Sequence, residues 1–189
     1  MGTAIQQSSG TAAWLPSDHG MIGWTGDPYT TNGTTTAAAG LLYLWGVKVP
    51  IATTVTNICL ATSGTAGSGT STGTFAGLYN AAGTLLGQTA DIGALLVAGA
   101  GNKIVPLTAA VAVPAGFYWV GFVANLSVTQ PSMRSWQNAG ASIPSWNYNL
   151  AAAQSRTAVN GTGLVALPGT ITPSSNTITG AINALAGLS

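Results

Sequence analysis

The sequence predicts an all-β protein: a β-sandwich of jelly-roll type with an extended, irregular N-terminal arm. Residues that favour strands, chiefly Thr, Val, Ile and aromatics, recur in short runs along most of the chain. The 26 Gly and 9 Pro residues, together with Asn and Ser, supply turns between these runs. Windows with helical character are short and rich in Ala, as at 150–154. About seven to nine short strands separated by turns are typical of a sandwich of two sheets.

Residues 1–40 are predicted to form the arm. This segment holds Trp14, Trp24 and Tyr29 among Gly, Asp, Pro and Thr, without the alternation of a strand. Disordered tails are poor in aromatic residues. Three aromatic rings in an irregular segment therefore indicate that it docks on a surface, either its own domain or a neighbour. The sandwich domain is predicted to span residues 41–189.

Strand signals become regular from residue 41 onward. Runs of strand-forming residues bounded by Gly, Pro, Asn or Ser predict strands at 41–49, 53–62, 74–80, 84–88, 102–107, 117–124, 156–159 and 177–185. A Gly-containing turn joins the third and fourth of these runs, so we expect them to form a hairpin. The stretch 92–101 is predicted to be a flexible apolar connection.

Two of these strands carry more specific predictions. The strand at 117–124 is apolar on both sides, which predicts a central strand buried on both faces. Pro106 cannot donate a hydrogen bond to a neighbouring strand, so the strand at 102–107 should lie at an edge or contain a bulge. Trp45 and Trp119 lie within strong strand signals and are predicted core residues.

Charged residues are scarce in this chain. Lys and Arg together number 4, Asp and Glu number 3, and charged residues make up 4% of the sequence, against about a quarter in an average domain. A surface with so few interspersed charges favours association. We therefore expect other protein to cover much of it, as in a subunit of a permanent assembly. The cations Lys48, Lys103, Arg134 and Arg156 are scattered along the sequence, which argues against nucleic-acid binding.

Catalysis and cofactor binding are not expected. Hydrolytic carboxylate pairs need two acids in one cleft, and the acids here are Asp18, Asp27 and Asp91. Ser17, Asp18 and His19 are of the residue types found in a catalytic triad, but triad members come from separate elements of a fold. We expect Asp18 to cap or bend its turn instead. A single His and a single Cys offer no zinc-like spacing, so no metal site is predicted.

The sequence also predicts no disulfide, signal peptide or membrane insertion. Cys59 is the only cysteine and lies in an apolar run, so we expect a small buried side chain. Residues 1–7 have neither the basic region nor the apolar region of a signal peptide. Apolar stretches fall short of the roughly 20 residues that span a membrane. Synthesis in a cytoplasm is therefore expected.

A second aromatic group is predicted in a loop region at 127–149. It combines Trp and Tyr with Asn and Arg, and its members are Arg134, Trp136, Asn138, Trp146, Asn147 and Tyr148. Such sets suit a sugar ring or the surface of a partner. Two interpretations stay open. The rings pack over one end of the sandwich or into a subunit interface, or they contact a ligand or receptor.

Four segments carry a family resemblance: WLPSDHG at 14–20, GLYNAAGTLL at 77–86, VPAGFYWV at 113–120 and GLVALP at 163–168. In this order they resemble small β-sandwich proteins of tailed bacteriophages that infect actinobacteria, the minor tail or virion structural proteins. The resemblance implies a non-enzymatic, homotrimeric component on the surface of the particle, acting in host attachment at the tail or in capsid decoration. It supplies no catalytic residues. Unlike long tail fibres, the chain is short and lacks coiled-coil or collagen-like repeats.

Two hypotheses of different classes follow. In the first, the chain is a tail-associated structural protein of a virion, made in the host cytoplasm, with other virion proteins and a host surface glycan as partners. The arm 1–40 would anchor it and the loops near 134–148 would face outward; capsid decoration is the alternative position. In the second, it is a carbohydrate-binding module that uses Trp136, Trp146 and Tyr148.

Overall fold

The computed structural model describes residues 14–63, 67–136 and 147–189. Within these ranges the chain forms one short α-helix, α1 (Gly93–Val97), and otherwise strands and short 3-10 turns. The strands are β1 (Gly23–Trp24), β2 (Gly33–Thr36), β3 (Tyr43–Val49), β4 (Thr53–Thr62), β5 (Phe75–Asn80), β6 (Leu85–Gln88), β7 (Gly101–Val113), β8 (Gly116–Val123), β9 (Ser132–Ser135), β10 (Thr157–Val159) and β11 (Ala186–Leu188).

The described strands make two antiparallel sheets. The first has six strands in the order β1-β11-β4-β9-β2, with β7 paired to β4 as well. The second has five strands in the order β10-β3-β8-β5-β6. This arrangement confirms the predicted all-β sandwich. The jelly-roll connectivity stays a prediction.

Apolar side chains alternate along the strands of both sheets, and those that point inward form the main core between the sheets. Trp45 and Phe122 of the second sheet stack with ring centroids 5.7 Å apart, and both belong to the same buried cluster as Ile58 and Met133 of the first sheet. The indole N–H of Trp45 donates to the carbonyl of Ile182 at 2.7 Å, so its polar atom is satisfied inside the core. The core position predicted for Trp45 is confirmed.

The outer face of the second sheet is buried as well. A covering segment, residues 160–176, places Leu164, Leu167 and Ile171 against Trp119 and its neighbours in a second apolar cluster. This cover explains why β8 is apolar on both sides. β8 lies in the middle of its sheet, so its prediction as a central strand is confirmed, as is the burial of Trp119.

β7 shows the effect that Pro106 predicts. β7 pairs within the first sheet with β4 alone, and the register shifts between Val55 and Asn57, beside the pairing of Asn57 with Pro106. Both the edge position and the bulge are therefore confirmed. The strand is longer than predicted and continues to Val113.

Residues 14–40 differ from the predicted irregular arm. β1 pairs with β11 and β2 pairs with β9, so part of this segment belongs to the first sheet. Thr35 and Thr36 bond the hydroxyls of Ser135 and Ser132 at 3.1 and 2.8 Å, cross-strand pairs that fix the position of β2. The first sheet thus begins at β1, ahead of the domain boundary predicted at residue 40.

Three other predicted segments also differ. The connection at 92–101 contains α1, and β9 lies inside the region predicted as a loop. The terminal strand predicted at 177–185 is wrong in position, because the paired strand is β11 at Ala186–Leu188. Isolated bridges at Thr177 and Ala184 are the only pairing within that predicted range among the described residues.

Candidate functional site

The described part of the arm begins with a tight turn at Pro16–His19, beside which three aromatic side chains meet. The backbone N–H of Leu15 donates to Asp18 Oδ2 at 2.8 Å, which confirms the capping role predicted for Asp18. The His19 ring then lies between two indoles, with its centroid 5.7 Å from that of Trp14 and 5.2 Å from that of Trp24. Both contacts are edge-on, an arrangement favoured by aromatic quadrupoles. Asp18 and His19 therefore stabilise the local structure of this turn, the first by a hydrogen bond and the second by ring contacts.

An apolar groove lies beside this turn. This arm groove has a volume of about 530 Å³. Six of its nine lining residues are apolar, namely Leu15, Pro16, Met21, Ile22, Pro50 and Ile51; the others are Ser17, Lys48 and Thr53. Leu15 is 58% exposed and Ile51 is 70% exposed, while the adjacent Trp14 is 62% exposed. Large apolar side chains are therefore presented together to the surroundings.

Tyr29, the third predicted anchoring residue, lies on a separate 3-10 turn. Asp27 begins this turn, and its Oδ1 accepts a hydrogen bond from the Tyr29 backbone N–H at 2.9 Å. The Thr30 hydroxyl donates back to the Asp27 carbonyl at 2.8 Å. The backbone is thus held while the Tyr29 ring stays 92% exposed.

Trp136 links the two predicted aromatic groups. Its indole N–H donates to Thr30 Oγ1 at 2.7 Å. Its ring also covers Gly26, where an added Cβ would lie 2.7 Å from the ring atom Cζ2. Trp136 therefore packs on the loop before Tyr29, which agrees with the interpretation that the ring packs within the chain.

Asn147 has a structural role too. Its amide Nδ2 donates to the Thr157 carbonyl at 2.8 Å, and its Oδ1 accepts from the Arg156 backbone N–H at 2.7 Å. These bonds fix the start of β10. Tyr148, the next residue, is 85% exposed and can contact a partner.

Arg134 does not lie in a loop, as predicted, but on β9, paired with Thr34 of β2. Its side chain is exposed. Trp146 and Asn138 lie outside the described residues. The predicted contact group is therefore divided: Trp136 and Asn147 bond within the chain, whereas Arg134 and Tyr148 are exposed.

Cys59 is half-buried, where the sequence predicted a buried side chain. Its thiol lies 3.7 Å from Ser189 Oγ, beside a second groove on the outer face of the first sheet. Desolvation raises the pKa of the Cys59 thiol, against a smaller lowering by the Ser189 hydrogen bond. The thiol is therefore less reactive than an exposed one at neutral pH.

Other site classes find little support in the part of the chain that the structure describes. No group of three or more His, Cys, Asp or Glu side chains is placed there to hold a metal ion. None of the helices in the same ranges has the length and apolar character needed to cross a membrane. No protein-family model matches the chain, and no curated protein is significantly similar to it.

Sequence reasoning missed Ile51, which is more exposed than Leu15, the other large exposed apolar residue of the arm groove. Ile51 follows Pro50 in the turn between β3 and β4, where polar residues usually occur. An apolar residue in such a turn is the signal that could have identified it. The arm groove also depends on β1, which brings Met21 and Ile22 next to Pro50 and could not be located from alternation.

Proposed function

We propose that this chain is a non-enzymatic structural subunit of a tailed-bacteriophage virion, associated with the tail and acting in host attachment. The observation that supports an assembly role best is that Leu15 and Ile51 line one groove and are each more than half exposed, as is Trp14, the residue before Leu15. Contiguous exposed apolar patches of this kind mark protein interfaces. The placement on a phage tail comes from the family resemblance.

The proposed interface is held together by apolar burial. Only 4% of the chain is charged, so ion pairs contribute little. Covering a side chain such as Ile51 with another subunit would contribute about 1.5–3 kcal/mol, and a Trp near the centre of an interface suits the role of an anchor. The partner is proposed to be a sister subunit in a homotrimer or another virion protein, with Tyr29 as a second contact.

Substituting charge into the arm groove tests the assembly role. Ile51→Glu and Leu15→Glu, at the two exposed apolar residues that line the groove, should weaken oligomer formation, because a carboxylate would lose its hydration between the subunits. Sedimentation velocity over a range of concentrations measures the oligomer, and circular dichroism checks the fold. The matched control is Val165→Glu, since Val165 is 66% exposed but does not line the groove.

In this experiment a wild-type chain that stays monomeric at every concentration would contradict self-assembly. Assembly with other virion proteins would then be the remaining form of the proposal. Labelled wild-type chain and the Ile51→Glu variant would be compared for incorporation into particles, with imaging to distinguish tail from capsid. Equal incorporation of both chains would reject the interface, and a capsid position would favour the decoration alternative.

The exposure of Tyr148 favours a second candidate function, carbohydrate binding. Tyr148 offers one open ring, but Trp136 and Asn147 are engaged inside the chain. Glycan-array binding that is lost in Tyr148→Ala and kept in Tyr29→Ala would support this alternative. Such binding by a monomeric chain would favour it over the assembly role.

A further inference from the structure

β7 is the long strand at an edge of the sandwich. The other described edge strands, β1, β2, β6 and β10, have two to four residues each, whereas β7 has 13. Very short edge strands give another chain little backbone to pair with, but a long edge strand is a template for such pairing. Among the described strands, β7 is therefore the edge at which a second chain could add most easily.

Hydrogen bonds on the other side of β4 show which backbone groups of β7 are open. In an antiparallel pair, the N–H and C=O groups of successive residues point to opposite sides of the strand. Asn57 exchanges hydrogen bonds with Ser189, at 2.8 and 3.2 Å, so the backbone of the next residue, Ile58, faces β7. Ile58 pairs with Val105. The backbone groups of Val105 therefore face β4, and by the same alternation so do those of Lys103.

The residues that alternate with these two direct their backbone groups away from the sheet. They are Asn102, Ile104 and Pro106, and all three are exposed. Among the described residues, no strand pairs with this side of β7 before Leu107, which bridges Thr89. Pro106 has no N–H, so the open edge at 101–106 lacks one of the donors that a pairing strand would use.

Lys103 places a charge on the inner face of the same edge. Side chains two residues apart on a strand share a face, so Lys103 lies on the face of Val105 and Leu107. Val105 and Leu107 are 4% and 8% exposed and belong to the main core. Lys103 is half-buried at the end of this face. An inward-pointing charge on an edge strand opposes the addition of another strand beside it.

Pro106 and Lys103 oppose different antiparallel pairings of two copies of this edge. A pairing centred on Ile104 places Asn102 opposite Pro106 of the second copy, and a pairing centred on Val105 places Ile104 opposite that proline. Both lose the missing N–H at two symmetric positions. A pairing centred on Lys103 avoids the proline but places the two Lys103 side chains directly opposite each other, and like charges in such pairs are destabilising.

We propose that Pro106 and Lys103 together keep the open edge of β7 from pairing with a second copy of the chain. Each residue opposes pairings that the other permits. The chain has only 4 Lys and Arg residues, so general charge repulsion between copies is weak and the edge carries its own protection. The proposal goes beyond the assembly role and does not rest on it, because β7 contributes no residue to the arm groove.

Amide hydrogen exchange followed by NMR tests whether the edge is open. The measurement uses the full chain with Ile51→Glu, so that association through the arm groove contributes least. The amides of Asn102 and Ile104 should exchange at least about tenfold faster than those of Lys103 and Val105, which face β4. Equal protection at all four positions would show that the edge is already covered and would overturn the proposal.

Variants in the same background then remove the protection. Pro106→Val restores an N–H and Lys103→Thr removes the charge, so each should raise the dimer association constant. The double variant should raise it about tenfold or more, which corresponds to about 1.4 kcal/mol. Sedimentation velocity measures association, and circular dichroism checks the fold. In the associated double variant, amide exchange at Asn102 and Ile104 should become slower.

Two controls are matched to these variants. Lys103→Arg keeps the charge at the edge. Ala112→Val introduces the same valine at an exposed position of β7 outside the open edge. Neither control should change the association constant. An equal rise in Ala112→Val would attribute the association to added apolar surface and would reject the role of the edge.

Two further results would contradict the proposal. The first is a folded double variant that associates no more than its parent. The second is stronger association without slower exchange at Asn102 and Ile104, because the contact would then lie elsewhere. If the double variant does not fold, the single variants and the exchange pattern of the parent decide. Loss of oligomers on introducing Ile51→Glu alone concerns the assembly role, so the two proposals fail by different measurements.

Discussion

The outer face of the second sheet and the arm groove are both largely apolar, but the residues that the structure describes cover only the first of them. Trp119 on that outer face is fully buried under the covering segment, and its indole N–H donates to the Ser155 carbonyl at 3.0 Å. Trp14 beside the arm groove is mostly exposed. A Trp in a low-charge chain therefore stabilises the fold in one region and is available to a partner in the other.

The largest expected effect separates these two tryptophans. Trp119→Ala should lower the free energy of unfolding by about 3–5 kcal/mol, because it leaves a cavity and removes a buried hydrogen bond. Trp14→Ala should change it by no more than about 0.5 kcal/mol, as for exposed positions. Urea unfolding of the isolated chain measures both. Similar losses in the two variants would remove the contrast between the regions.

The covering segment itself gives the next effect. Leu167 is nearly buried against Tyr79 and Trp119, so Leu167→Ala should cost about 2–3 kcal/mol of unfolding free energy. Its matched control, Val165→Ala, is two residues away and exposed, and should cost no more than about 0.5 kcal/mol. Equal effects in thermal or urea unfolding would show that the segment does not act as a cover.

The smallest effect concerns Tyr79, which lies under the same segment. Burial raises the pKa of the Tyr79 phenol above its ordinary value, and its hydroxyl donates to the Pro168 carbonyl at 2.7 Å. The folded state therefore holds the proton more tightly than the unfolded state. The stability that this provides is complete below about pH 10 and declines as pH rises further.

Tyr79→Phe should cost about 1 kcal/mol at neutral pH, the contribution of one hydrogen bond. It should also make the loss of stability above about pH 10 less steep than in the wild type. Urea unfolding at a series of pH values measures both effects. Tyr148→Phe is the control, because Tyr148 is exposed. If the free energy of unfolding declined as steeply above about pH 10 in Tyr79→Phe as in the wild type, the contribution of the Tyr79 phenol to this decline would be contradicted.

The strongest strands were predictable because their signals are local and long. The strand predicted at 53–62 has the same bounds as β4, and the central position of β8 follows from its unbroken apolar run. β1, β2 and β9 were missed because they are short, with two to four residues each, and they lie in segments rich in Gly, Pro, Ser and Thr that read as irregular. Such short strands show no alternation in the sequence, and they form through pairing with distant residues.

For the candidate sites, too, the sequence indicated some features and only the folded structure decided others. Aromatic residues near positions 14–29 and 134–148 could be selected from the sequence because exposed Trp and Tyr suit contacts with partners. Their roles could not be assigned, since Trp136 meets Thr30 and Asn147 meets Thr157 only after folding. Lys48 and Arg156 were interpreted as scattered charges, yet the pairing of β3 and β10 brings them to one groove.

By itself, the sequence determined the sandwich class, the main strands and the buried positions of Trp45 and Trp119, because strand propensity and apolar runs act over a few neighbouring residues. Only the tertiary structure decided which apolar faces the described residues cover and which they leave open. That outcome depends on contacts such as the hydrogen bond from the Tyr79 hydroxyl to the Pro168 carbonyl, between residues far apart in sequence. A pattern of single residues along the chain does not contain the geometry that brings such partners together.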